Sequence, residues 1–140
     1  MTSDTLVPVR RFALLGAALW GAQSVLAFFL LWGAWMKLGM PLDAAARMAP
    51  WVAAHPGLAT FTGVIDLLGG LGILLPALLR IRPQLSMLAA AGIIALQGLA
   101  MGFHLVRGEA MVLPMNALLL ALAAWVLWGR TKAVPFTAGR

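Results

Sequence analysis

Residues 57–79 read GLATFTGVIDLLGGLGILLPALL and carry a single ionisable side chain, Asp66. A hydrocarbon core of about 30 Å is crossed by about 20 helical residues, so this stretch is long enough to span a bilayer. It shows no period-two alternation, and lipid offers no partner to an unpaired backbone amide, so a helix is the form expected. Working outward, three further apolar stretches of span length appear at 12–36, 85–106 and 110–129. The fold predicted is an all-α transmembrane four-helix bundle, one membrane domain over 1–140, with the lipid bilayer as its first partner.

Composition agrees and excludes other classes. Apolar residues make up 63% of the 140 positions and the mean hydropathy is +0.97, whereas soluble domains have about half apolar residues. A net charge of +6 spread thinly over the chain gives no nucleic-acid surface. There is no cysteine and no tyrosine, which removes disulfides, CxxC redox pairs, iron–sulfur clusters, covalent haem and any phenol relay.

Basic residues set the expected orientation. Arg10, Arg11, Arg80, Arg82, Arg130, Lys132 and Arg140 fall on one side, and Lys37, Arg47 and Arg107 on the other. The positive-inside rule then places both termini in the cytoplasm. Trp32, Trp35 and Trp51 are expected near the outer surface, and Trp125 and Trp128 near the inner one. Arg10-Arg11 reads as an orienting flank rather than a signal n-region, because the apolar run behind it exceeds a signal h-region. The outer segment Pro41 to His55 reads as a broken interfacial helix or a plain loop.

The informative residues are polar ones inside spans, since a mid-bilayer carboxylate costs roughly 2.5–3.5 kcal/mol on insertion scales. Asp66 has Thr62, Gly63, Gly69 and Gly70 as same-face neighbours, all small enough to admit another helix, so it is expected to point into the bundle. On the third span Gln97, Met101 and His104 share one stripe. Ala91, Ala95, Gly98 and Gly102 form another, whose Gly98–Gly102 pair reads as internal packing in preference to a dimer face. Lys37 ends the first helix, and Asn116 lies about six residues into the fourth span. Lys37, Asp66, Gln97, His104 and Asn116 therefore all belong to the outer half, and they form the candidate ligand-binding set.

Blander readings stand beside this one. An Asp–Lys or Asp–His pair can be a structural clasp between helices, and a terminal lysine commonly snorkels. His104, His55, Asp66 and Glu109 offer a poor metal set, and the carboxylate and Glu-x-x-His patterns of di-iron bundles are missing. Gly69-Gly70-Leu71-Gly72 lies mid-span without a neighbouring lysine, so packing accounts for it better than a phosphate cradle. Ser24 and Ser86 have no histidine in the same stretch, which argues against an autonomous enzyme.

Gly33-Ala-Trp-Met-Lys37-Leu38 at the end of the first span resembles the glycine–lysine–leucine signature of DoxX and DoxX-like membrane proteins. Asp66-Leu-Leu-Gly69-Gly70-Leu-Gly-Ile-Leu-Leu-Pro76 is similar to that family's acidic-residue, glycine-pair and proline pattern, and Ala89 to His104 with Arg107-Gly108-Glu109 to its third span and turn. One departure is that the family usually has glutamate where Asp66 stands, so the shorter side chain is expected to reach less far toward Lys37. The resemblance implies a bacterial inner-membrane protein acting as accessory subunit of a membrane redox system, with an oxidoreductase partner and a pocket for a quinone or other lipophilic ligand. By depth and residue type, Asp66 is expected to hold or accept a proton in such a pocket, His104 to donate a hydrogen bond or relay protons outward, and Lys37 to balance charge. The alternative it leaves is a non-catalytic or chaperone-type protein that binds a lipophilic ligand or partner protein. A transporter is the weaker third reading, and a homo-oligomer is compatible with all three.

Overall fold

The computed structural model describes residues 6–135, with side chains from Arg10 onward. Four long helices, α1 (Leu6–Leu38), α4 (Pro56–Leu78), α5 (Gln84–Val106) and α6 (Leu113–Trp128), are joined by two short ones, α2 (Leu42–Met48) and α3 (Trp51–Ala54). No strand occurs among the described residues. All four spans are long and apolar enough to cross a membrane, at Arg10–Leu38, Pro56–Leu78, Gln84–Val106 and Ala110–Ala133. The fourth starts with a 3-10 turn, Ala110–Val112, and ends in a π-turn, Gly129–Ala133. The chain is a multi-pass membrane protein.

The helices form a closed ring in chain order: α1 packs on α4, α4 on α5, α5 on α6, and α6 back on α1. The crossover end carries Lys37, α2–α3 and the α5–α6 turn. The termini end carries the start of α1, the α4–α5 turn and the π-turn. Between them lies an apolar core that includes Leu26, Leu30, Ile73, Ala90, Ile93, Leu119 and Ala123. Lipid tails are as apolar as these side chains, so close packing rather than water exclusion holds the ring.

Glycines on α4 permit that packing. A Cβ on Gly70 would stand 2.8 Å from Leu31 Cγ, and one on Gly69 would stand 3.4 Å from Ile93 Cγ1 and 3.5 Å from Leu30 Cδ1. The packing role expected of this run is therefore borne out. The stripe on α5 behaves otherwise. Ala91, Ala95, Gly98 and Gly102 are exposed, and a Cβ on Gly98 or Gly102 would meet nothing within 4 Å. The stripe therefore lies outside the bundle, and its reading as internal packing is corrected. The core-facing stripe of α5 instead runs through Ala90, Ile93 and Gln97.

The segment from Pro41 to His55 is a broken helix, interrupted at Pro50. Its buried side chains, Ala45 and Val52, pack with Ala59 and are flanked by Met36, Met40 and Trp51, so it folds onto the bundle end. Leu42 and Met48 stay exposed. At the opposite end α4 closes with a two-bond stop: Ile81 N–H donates to Pro76 O at 3.1 Å and Arg80 N–H to Ala77 O at 3.4 Å. This arrangement demands a left-handed residue after the C-cap, usually glycine. Arg80 takes it at φ 54, and Arg82 repeats it at φ 44. Left-handed backbone costs an L-residue about 1–2 kcal/mol.

Candidate functional site

Asp66 is 5% exposed and forms an ion pair with Lys37. α1 and α4 can hold this pair because glycines face it from both sides. A Cβ on Gly33 would lie 3.0 Å from Asp66 Oδ2, and one on Gly63 would lie 3.0 Å from Lys37 Cβ and 2.9 Å from Leu38 Cγ. The shorter acid was expected to reach less far toward Lys37. The missing methylene is offset by backbone proximity that any side chain at position 33 or 63 would disturb.

Trp51 links this pair to a second group of charges. Lys37 Nζ lies 5.8 Å from the Trp51 ring centroid, and the ring centroids of Trp51 and His104 are 6.3 Å apart. His104 Nδ1 is 2.7 Å from Glu109 Oε2, and Arg107 Nε donates to Glu109 Oε1 at 2.9 Å. Arg107 also donates to His55 Nε2 at 3.3 Å. Phe103 packs edge-on against Trp51, His55 and His104, so the aromatic rings close over the charges. Glu109 lies between the third and fourth spans. The hydrogen bond from His104 and the Arg107 guanidinium hold its carboxyl below the usual glutamate value of 4.5.

The five expected residues are thus distributed unevenly. Lys37 and Asp66 are in direct contact, and His104 joins them through Trp51. Gln97 stands one turn beyond Ile93, and Asp66 one turn before Gly69. Because Ile93 faces Gly69, helical spacing puts Gln97 and Asp66 on one level. Gln97 is 6% exposed, and no described residue hydrogen-bonds its amide. Its polar atoms are nevertheless not fully enclosed, unlike the buried Ser86 Oγ. The amide therefore keeps a small contact with the molecular surface. Asn116 is half-buried, one turn from the core residue Leu119, and is not hydrogen-bonded to the other four. Among the described residues no group of three or more acidic or histidine side chains could hold a metal.

Sequence reasoning placed Trp51 in the interfacial belt with Trp32 and Trp35. Those two are 46% and 51% exposed, but Trp51 is turned inward and forms a wall of the site. His55, set aside because it lies outside the spans, closes the network's outer edge. The break at Pro50 is the signal for both, since it returns the chain onto the bundle.

A second polar cluster went unread. At the termini end Gln23 is wholly buried, donating to Ile73 O at 2.7 Å and accepting from Arg130 Nε at 3.0 Å. The Arg130 guanidinium also lies 5.1 Å from the Trp20 ring. The carbonyl of Ile73 lies beside that of Gly72, which loses its helical donor because Pro76 has no N–H. Arg130 counted toward the basic side in the orientation argument, and it is only 4% exposed. The π-turn and Gly129, where a Cβ would lie 2.5 Å from Leu19 Cδ2, bring it inside. Arg140, also in that count, lies outside the described residues.

A four-helix membrane bundle with a glycine-flanked lysine–aspartate pair at one end defines a class of small integral membrane proteins. The chain belongs to the DoxX-like family, whose model matches residues 21–126, a region that includes Lys37, Asp66 and the α5–α6 turn. No curated protein and no solved structure matches the chain.

Proposed function

We propose that this protein is a non-catalytic subunit of a redox system in a bacterial inner membrane, with both termini cytoplasmic, and that its Lys37–Asp66–Gln97 level receives the head group of a lipophilic ligand. The observation that carries this reading is Gln97, nine-tenths buried and without a protein partner. Burying an amide with neither a partner nor water is costly. Lys37 and Asp66 cancel each other's charge, so this level suits an uncharged head with hydrogen-bonding oxygens, and a quinone meets that description. The Gln97 amide would donate to a carbonyl oxygen, Asp66 and Lys37 would fix the local field, and His104 with Glu109 would face the outer surface. A quinone, when bound, supplies two-electron, two-proton chemistry to an oxidoreductase partner. The single membrane domain over 1–140 serves as its binding frame. Asn116 would approach the same ligand from α6.

Quinone extracted from protein purified in native lipid tests this. Wild type and Leu99→Ala, a change on the exposed face of α5, should retain it, and Gln97→Leu should retain about five- to tenfold less. Quinone-free wild type with normal partner activity overturns the reading.

A second reading, a ligand- or protein-binding bundle that handles no proton, is favoured by one feature: Asp66 and Lys37 already satisfy each other. It predicts that Asp66→Asn leaves function intact, whereas proton handling predicts its loss.

A further inference from the structure

The two ends of the bundle differ in charge pairing. At the crossover end Lys37, Arg47 and Arg107 each have an acid: Asp66, Asp43 and Glu109 respectively. At the termini end Arg10, Arg11, Arg80, Arg82 and Lys132 are exposed, and none of them forms an ion pair with a described residue. No described acid lies at that end.

The α4–α5 turn concentrates this excess. Arg80 and Arg82 flank Ile81, which is 59% exposed, and both arginines hold left-handed backbone that glycine or asparagine would adopt more easily. The position of Arg80, just past the helix end, is one where glycine is the usual residue. Arginine there worsens the turn, so its value lies in the side chain. Exposed Leu78, Leu79 and Ile81 set the turn at the boundary of the apolar layer, with guanidinium groups at head-group height, where a planar fork pairs with phosphate oxygens.

We propose that the Arg80-Ile81-Arg82 turn, supported by Arg10, Arg11 and Lys132, is an anchoring site for anionic phospholipid head groups. Ile81 and Leu79 enter the acyl boundary while the two arginines grip the phosphates above. The site is separate from the Lys37–Asp66 level and independent of any ligand there.

The test uses the full chain in detergent, titrated with phosphatidylglycerol or phosphatidylcholine and read by lipid-bound peaks in native mass spectrometry and by the thermal midpoint. Wild type should bind phosphatidylglycerol in preference and gain stability from it, with the gain declining as salt rises. The double variant Arg80→Gly with Arg82→Asn, whose residues suit the left-handed backbone, should keep or raise the lipid-free midpoint. Its phosphatidylglycerol binding should be about 25-fold weaker, since each of the two basic residues near an anionic surface contributes roughly 1 kcal/mol, or about fivefold. Arg47→Gln, at the other end, should bind as wild type does. Equal phosphatidylglycerol binding by wild type and double variant overturns the proposal. So does equal stabilisation by phosphatidylcholine, or the same midpoint gain with inorganic phosphate alone.

Discussion

The polar groups at the crossover end and those at the termini end answer opposite needs. Around Lys37 and Asp66 the charges are matched, linked through the Trp51 ring to the His104–Glu109–Arg107 group, and set beside an amide, Gln97, that the protein leaves unbonded. Around Gln23 the polar groups knit two helix ends and a proline-damaged helix together, joining α1 to Ile73 of α4 and to Arg130 of the π-turn. The first arrangement leaves hydrogen-bonding capacity over, which is what a site requires. The second spends its capacity on structure, and the apolar layer between them keeps the two apart.

The comparison is broken most forcefully by unpairing one buried charge. Lys37→Met should strand the Asp66 carboxylate and cost about 3 kcal/mol, seen as a lower thermal midpoint in detergent. Adding Asp66→Leu should restore most of that loss, because the pair as a whole contributes less than its desolvation takes. If the double variant is no better than the single one, the pair does more than balance charge.

Gln23→Ala should lower stability by about 2 kcal/mol, as it strips a bond from a buried guanidinium and from the Ile73 carbonyl. It should leave ligand retention at the other end unchanged. Loss of retention would show that the two clusters are coupled through the core.

Gly33→Val, in contrast, should act mainly on the crossover end. With its Cβ at 3.0 Å from Asp66 Oδ2, the added carbons would part the pair at a cost of about 1–2 kcal/mol and reduce retention of the ligand.

A smaller effect is pH-dependent. Glu109 titrates below its ordinary 4.5 in the folded chain because His104 and Arg107 favour the carboxylate. Its contribution to stability is therefore complete above about 4.5 and declines as pH falls through the lowered value. Hydrogen exchange in α3 and at the end of α5 should rise in that acidic window, and Glu109→Gln should flatten the dependence. The smallest effect belongs to Asp43 and Arg47, a pair with both side chains over 70% exposed. Removing it should change the midpoint by less than about 0.5 kcal/mol.

The spans were legible to within a few residues because a bilayer requires a run of apolar residues, and such a run is a property of the chain itself. Asp66 was legible for the same reason: an acid among small residues is retained only where it faces inward. Gln23 was equally present in its span but has no charge, and its partner lies fifty positions away at a carbonyl. The inward turn of Trp51 and Arg130 was not legible, because position near a span end says nothing of whether a side chain turns out to lipid or in to protein. The small-residue stripe of α5 was assigned inward by the same insufficiency, since residue size permits a contact without deciding which face makes it.

By itself, then, the order of residues determined that this protein crosses the membrane four times as helices and that an acid and a lysine belong to the same half of the bundle, because hydropathy and backbone hydrogen bonding act locally. Tertiary structure alone decided which face of each helix looks inward. It also made Trp51 a bridge, let glycines at 33 and 63 compensate for a shorter acid, and gave each end its separate balance of paired and unpaired charge. Those outcomes depend on the rotation and separation of helices packed against one another, quantities that arise only when the ring closes.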